Sequence, residues 1–265
     1  RNFMNFHVLS LFPEYFETFL KNGVVGGAVQ KKLISLSVVN PRDFTEGNYK
    51  MVDDIPYGGG DGMVMAFEPM SKAIQSIKSE NPLKIYLSPQ GEPLTDKVAK
   101  TMAETKRDIV FICGRYAGVD ERFISEYVDQ EISVGNYVVS GGELPALICI
   151  DAIARHVPGV LGNKDSAVKD SFHDSLLEAP SFTRPAEIDG LGVPKVLTEG
   201  HHEKIATWKR LISILRTFQR RPDLYERANI SPKERLLANK LLAEMSEKDL
   251  RISGLKNQAL PLDQS

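Results

Sequence analysis

The chain has 265 residues, 33 Lys+Arg against 35 Asp+Glu, with 42% hydrophobic and 26% charged side chains. That is enough chain for one large domain or two smaller ones around a sizeable core, and its apolar content excludes a disordered protein. Its 20 Gly and 15 Pro follow no period, which excludes collagen-like sequence, and no run nears the roughly 20 apolar residues of a membrane helix.

Arg1–Phe3 precede Met4, read as foreign to the natural start, and are left out of the fold reading; no charged-then-apolar leader opens the chain. Phe6–Phe12 (FHVLSLF) reads as a strand, and Pro13-Glu14 opens an amphipathic turn, EYFETFL. Ile34–Val39 alternates apolar residues with Ser, as a strand does. Leu83–Leu87, Ile109–Cys113 and Ile132–Val134 are further strands, and helical patterns fall at Pro69–Ile77, Asp96–Thr105, Asp120–Tyr127 and Leu144–His156. Such alternation, with near-continuously apolar strands, predicts a parallel sheet covered on both faces. Cys113 and Cys149 sit in apolar runs (VFICG, ALICI) without a CxxC pair and read as reduced core thiols of a cytoplasmic protein.

Leu161–Asp174 is polar and lacks either period, so it reads as a mobile connector. Beyond it, Ile205, Trp208, Leu211, Ile212, Leu215 and Phe218 recur at helical spacing until Pro222. Ser231-Pro232-Lys233-Glu234 carries an N-cap, a first-turn Pro and a reciprocal Glu, predicting a helix over ERLLANKLLAEM. The expected organisation is an α/β domain over 4–161, a flexible linker over 162–175 and a small helical domain over 176–265, without internal repeats. Charge divides the same way: residues 1–203 carry 20 basic and 28 acidic side chains, residues 204–265 carry 13 and 7. A basic tail piece suits a polyanion contact confined to one region, although a solvated basic helix face would look the same.

The chain lacks GxxxxGK[ST], GxGxxG behind a strand, HExxH and GxSxG, and its five His do not pair at metal-ligand spacing. His201-His202 suits a phosphate contact or simple solvation. What stands out is a glycine-bearing turn after each of three successive strands: Tyr86–Gly91, Gly114–Arg122 and Gly135–Glu143. In open α/β sheets ligands bind beyond the carboxyl ends of strands, and glycine there lets backbone approach a ligand closely. Together the turns predict a small-molecule pocket lined by main chain, although any one glycine could serve only a tight turn. A backbone-lined pocket beside a basic helical appendage fits an enzyme that binds a small cofactor and acts on a large polyanion.

At these turns the sequence resembles the bacterial tRNA (guanine-37-N1) methyltransferases, which use S-adenosylmethionine. The resemblance rests on IPYGGGDGMVM (55–65), YLSPQG (86–91), ICGRYAGVDER (112–122), ISVGNYVVSGGELPAL (132–147), PGVLGN (158–163), DSF (170–172), TRP (183–185) and RRPDL (220–224), in one order over nearly the whole chain. It implies a SPOUT-type α/β fold, a parallel sheet with a deep trefoil knot around residues 86–145, followed by a small C-terminal all-α domain. Nothing in the patterning foretells a knot, which runs against the ordinary behaviour of chains. It also implies a homodimer whose active sites are shared between subunits.

By position, the implied cofactor pocket comprises Tyr86, Leu87, Ser88, Pro89, Gly114, Tyr116, Gly118, Ser133, Val134, Gly135, Tyr137, Val139, Gly141, Gly142 and Pro145. The adenine would lie against backbone, with the cofactor bent so that its methyl points at the base. The family's catalytic aspartate matches Asp170, a general base for the proton on guanine N1, and Arg155 matches the residue that stabilises charge on O6. Read alone, Asp170 is a loop acid capping the turn at Ser171-Phe172, and Arg155 a salt-bridge residue on its helix. Lys204, Lys209, Arg210, Arg216, Arg220 and Arg221 are implied to position the anticodon stem-loop through its phosphates.

One departure stands out. The family commonly has glutamate, linked to cofactor binding and magnesium dependence, where this chain has Ala117. A magnesium ion therefore stays open, with Glu121 or Glu143 as the neighbours able to substitute. Two other readings remain: a knotted methyltransferase acting on a ribose 2′-hydroxyl or a ribosomal RNA base, and a non-catalytic RNA- or cofactor-binding module.

Overall fold

The computed structural model describes residues 3–46, 50–60, 62–162 and 171–261. Most of the expected linker, including Asp170, lies outside the described residues. The chain divides into two compact units, Arg1–Lys164 and Asp165–Ser265.

The first unit is built on five parallel strands: β1 (Met4–Leu9), β2 (Ile34–Val39), β5 (Leu83–Pro93), β6 (Ile109–Ile112) and β7 (Gln130–Ser133), in the order β2-β1-β6-β5-β7. Two two-residue strands, β3 (Asp53–Asp54) and β4 (Val64–Met65), form a separate antiparallel pair. Period-2 alternation splits the sheet's apolar side chains between two layers. Phe6, Val8, Ile85, Leu87, Ile109, Phe111 and Ile132 pack with helices α1 (Glu14–Phe19), α2 (Gly23–Gln30), α4 (Asp96–Glu104) and α6 (Glu143–Ala154). Leu9, Tyr86, Val110 and Ile112 pack with α3 (Phe67–Gln75) and α5 (Glu121–Tyr127). The sandwich is the three-layer arrangement that the apolar strands called for, with β6 buried at all four positions.

Three differences from the sequence reading have clear causes. Strand β1 stops at Leu9, because the Ser10 hydroxyl accepts from the Phe12 N–H and turns the chain. Helix α2 was not expected, since GVVGGAVQ holds three glycines that lower helix propensity; tertiary packing of Val25 and Ala28 overrides it. Strand β5 runs beyond Leu87: residues 88–91 bulge out, and both Leu87 and Glu92 pair with Ile132. Gly91 makes that return possible, because a Cβ there would collide with the Glu131 carbonyl group and the Ile132 nitrogen. After β6 the chain crosses β5 to add β7 on its other side, so the carboxyl ends of β5, β6 and β7 share one edge.

The second unit gathers around α7 (His202–Arg220), whose Trp208, Leu211, Ile212, Ile214 and Leu215 are buried. Short α8 (Pro222–Tyr225) follows, then α9 (Pro232–Glu244), which carries the expected capping box between Ser231 and Glu234. A second box, Ser246 with Asp249, starts α10 (Glu247–Ser253), and left-handed Gly254 ends it. A two-residue hairpin, Glu187–Ile188 with Leu191–Gly192, adds a little β structure to the helical unit. No helix among the described residues is long and apolar enough to cross a membrane.

Candidate functional site

A cavity of about 350 Å³ opens at the ends of β5, β6 and β7. All fifteen residues that the resemblance assigned to a cofactor line it, from Tyr86 in β5 just before the bulge, through Gly114–Gly118, to Pro145 in α6. Gln90, Arg115, Ala117, Glu121, Glu131, Val138 and Ser140 line it too and were missed. For all but Glu131, which lies in β7, positions inside the same turns were the available signal.

The walls are fixed by hydrogen bonds that can be followed back to sequence. The turn after β6 is laced to residues 63–65: Ala117 N–H donates to the Met63 carbonyl at 2.8 Å, Met65 N–H to Gly118 at 2.9 Å and Asp120 N–H to Met65 at 3.0 Å. That gives the GMVM end of the IPYGGGDGMVM motif a structural task. The turn after β7 is fixed by Gly142 N–H donating to the Gly114 carbonyl at 3.0 Å. A Cβ on Gly142 would stand 2.6 Å from the Cys113 Cα, closer than real side chains come, so only glycine lets these two turns meet.

One ion pair clamps the cavity from behind. Arg115 reaches the Glu143 carboxylate at 2.8 Å, and the other Glu143 oxygen accepts from the Ser10 hydroxyl at 2.7 Å. The Arg115 guanidinium also lies 4.4 Å over the Phe12 ring and donates to the Ser140 carbonyl at 3.3 Å. Glu143 is thereby committed and is not available to a metal ion, whereas Glu121 and Glu131 do border the cavity. Among the described residues no group of three or more His, Cys, Asp or Glu side chains could hold a metal.

Burial, with Glu131 nearby, pushes the Tyr86 phenol up, so it stays a hydrogen-bond donor at neutral pH. Burial also pushes the Cys113 thiol well above its usual range and Cys149 up to about 12. Neither is a nucleophile for group transfer. The cavity fits S-adenosylmethionine in kind: it is concave, lined by close-approaching glycine backbone and by Tyr86, Leu87 and Tyr137 side chains, with volume for a bent ligand of that class.

Arg155 lies elsewhere. It is the half-buried C-cap residue of α6, twelve residues on from Glu143, and so about 18 Å along the helix from the cavity end. The six expected tRNA-binding cations are also not equivalent. Arg210 pairs with Glu234 at 2.9 Å, Arg216 donates to the Ser253 carbonyl at 3.3 Å, Arg220 to Gly254 at 2.7 Å, and Arg221 grips Asp223 through two bonds of 2.6 and 2.8 Å. Lys204 and Lys209 are exposed.

Comparison with known proteins identifies the family. The sequence profile of the family described as tRNA (Guanine-1)-methyltransferase TrmD matches residues 4–227. The chain belongs to the tRNA (guanine-1)-methyltransferase family. Proteins named tRNA (guanine-N(1)-)-methyltransferase are similar to it across their length. The one from Hydrogenovibrio crunogenus is 48% identical over 225 residues, covering 84% of this chain and 94% of that protein. Those from Shewanella amazonensis and Pasteurella multocida are each 48% identical, covering 90% of this chain and 96% and 98% of theirs. The family match takes in the described α/β sheet, α7 and α8, and stops short of α9 and α10.

Proposed function

We propose that the chain transfers the methyl group of S-adenosylmethionine to N1 of guanosine 37 in tRNA. The observation that carries this reading is the convergence of all fifteen assigned residues on one cavity, in a chain that belongs to the family. When bound, the cofactor supplies a methyl carbon on a sulfonium, and the electrons of the breaking C–S bond stay on sulfur. The chain's own residues prepare the acceptor. Asp170 takes the N1 proton as general base, freeing the nitrogen lone pair to form the new C–N bond, and later releases that proton to solvent. Arg155 balances the charge that gathers on O6. No step is routed through a metal ion.

The reading places two subunits at each active site. Arg155 lies about 18 Å along α6 from its own cavity, too far for one chain to use both at a single base. A partner subunit's Arg155 and Asp170 meet that need. Helix α6 is apolar apart from Glu143 and the exposed Asp151, yet Leu144 and Ile148 are 49% and 46% exposed, and Phe12, Tyr15 and Val24 on the neighbouring elements are exposed too. A helix of that kind is normally covered all round, and a second copy of the chain supplies the cover. The crossing of β5 between β6 and β7 is where the reading places the trefoil knot.

The test is methyl transfer from labelled S-adenosylmethionine to tRNA transcripts carrying guanosine or an analogue lacking the N1 proton at position 37. Asp170→Ala should lower transfer by roughly 10²–10⁴-fold, the usual worth of a general base, with cofactor affinity unchanged. Label on ribose, or a mutant as active as the parent, sinks the reading.

A further inference from the structure

The second unit holds a groove of about 530 Å³ between the strap 180–186, the segment 193–198 and the Ile205–Lys209 face of α7. Its floor is apolar, from half-buried Phe182, Leu197 and Ile205, and its rim carries exposed Thr183, Arg184 and Lys209. No carboxylate lines it. The cavity between α3 and α5 in the first unit, by contrast, is lined by five acids. Arg184 and Lys209 make no ion pair or side-chain hydrogen bond among the described residues, whereas the arginines of the helical unit named above are already engaged.

We propose that this groove, rather than the arginine-rich end of α7, is where the helical unit receives the RNA backbone of the substrate. The proposal rests on the tRNA reading above. An exposed, unpaired cation gives its full charge to a phosphate and releases condensed counterions. Arg221, held by Asp223 through two hydrogen bonds, must first give up that pair, and Arg216 and Arg220 must give up backbone carbonyls. The Thr183 hydroxyl on the rim donates to phosphate or ribose oxygens, contacts that position RNA without reading its sequence. The apolar floor takes the face of a ribose or an unstacked base, and the volume suits about one nucleotide. Exposed Lys195, in the 193–198 segment, and exposed Lys204, one residue before Ile205, add positive charge beside the groove-lining residues in sequence. Charge counting along the chain pointed to residues 204–265; the proposal adds Arg184 and Lys195, which lie outside that window, and gives a lesser part to the engaged arginines inside it.

The test is tRNA binding by the full chain with S-adenosylmethionine, followed from about 50 to 200 mM salt. Arg184→Ala with Lys209→Ala should weaken binding about tenfold or more and reduce the log–log salt slope by about 2. Cofactor affinity should hold. Arg220→Ala with Arg221→Ala removes the same charge and should cost less. A larger loss from that second pair, or no change in slope from the first, overturns the proposal. A second measurement needs no variant. Bound tRNA should protect the Lys209 amine of the unsubstituted protein from acylation while leaving Lys100, on α4, as reactive as before; equal labelling of Lys209 with and without tRNA also overturns it. Should the unsubstituted protein bind tRNA with no salt dependence at all, the tRNA reading fails rather than the groove.

Discussion

The Arg115 guanidinium and the Glu143 carboxylate meet at 2.8 Å behind the cavity, and Glu143 is only 1% exposed. The pair ties the turn after β6 to the first turn of α6, where an acid also suits the helix dipole. Arg115→Ala leaves that buried carboxylate without its cation. The expected cost is about 3–5 kcal/mol, read as a lower urea midpoint. Glu143→Gln keeps an oxygen for Ser10 and should cost less. A loss under about 1 kcal/mol for Arg115→Ala would show the clamp to be idle.

Gly142→Ala tests the contact between two walls of the cavity. The new methyl would stand 2.6 Å from the Cys113 Cα, so one backbone must shift. The expected result is a destabilisation of roughly 1–3 kcal/mol and a loss of S-adenosylmethionine affinity in calorimetry. Unchanged affinity would separate this contact from the ligand site.

Ile148→Glu places a charge on the uncovered face of α6. Sedimentation velocity should then report a monomer where the parent chain is expected to sediment as a dimer, together with lost methyl transfer. Mixing Asp170→Ala with a cavity-dead variant such as Gly142→Val gives a sharper readout. A shared site should restore about a quarter of parental activity, because half the random dimers are mixed and each retains one intact site. No recovery after subunit exchange would mean that each chain uses its own Asp170.

His7 gives the first unit a pH dependence of predictable sign. Its Nδ1 lies 2.7 Å from the Ser37 hydroxyl, and burial lowers its pKa below 6.5, outweighing the Asp108 carboxylate 4.0 Å away. The unfolded chain therefore binds this proton more readily than the folded one. The stabilisation is complete above about pH 6.5 and is lost as pH falls through the folded-state value. Replacing His7 with Gln should flatten the stability profile between pH 5 and 7, measured by denaturant titration; a profile as steep as the parent's would assign the slope elsewhere.

Both thiols should ignore a disulfide reagent in the native protein. Cys113 and Cys149 are buried, and Cys149 is pushed up to about 12. Reaction should proceed only at the rate of unfolding, and fast labelling in native buffer would contradict the packing around β6 and α6.

The sheet was legible because its strands are short, mostly apolar runs set between helical patterns, with β6 apolar throughout. The capping box at Ser231 and the helix before Pro222 were equally plain, each being a local signal. What stayed hidden depends on distant contacts. Helix α2 is held by packing that its glycines do not advertise. The bulge in β5 shows only when Ile132 is seen pairing twice. Charge counting could not tell Lys209 from Arg221, because the difference is a carboxylate two residues along. The pocket residues were found from resemblance, and their signal in the chain itself was three glycine-bearing turns, enough for a cavity but not for its ligand.

Helix α6 has its first turn in the cavity wall and Arg155 at its far cap. If Arg155 acts in catalysis as proposed, α6 works as a ruler. Adding one residue in its middle would leave each end chemically intact, yet swing the guanidinium by about 100° and advance it by about 1.5 Å. Length, more than the identity of any inner side chain, is what this rod cannot change.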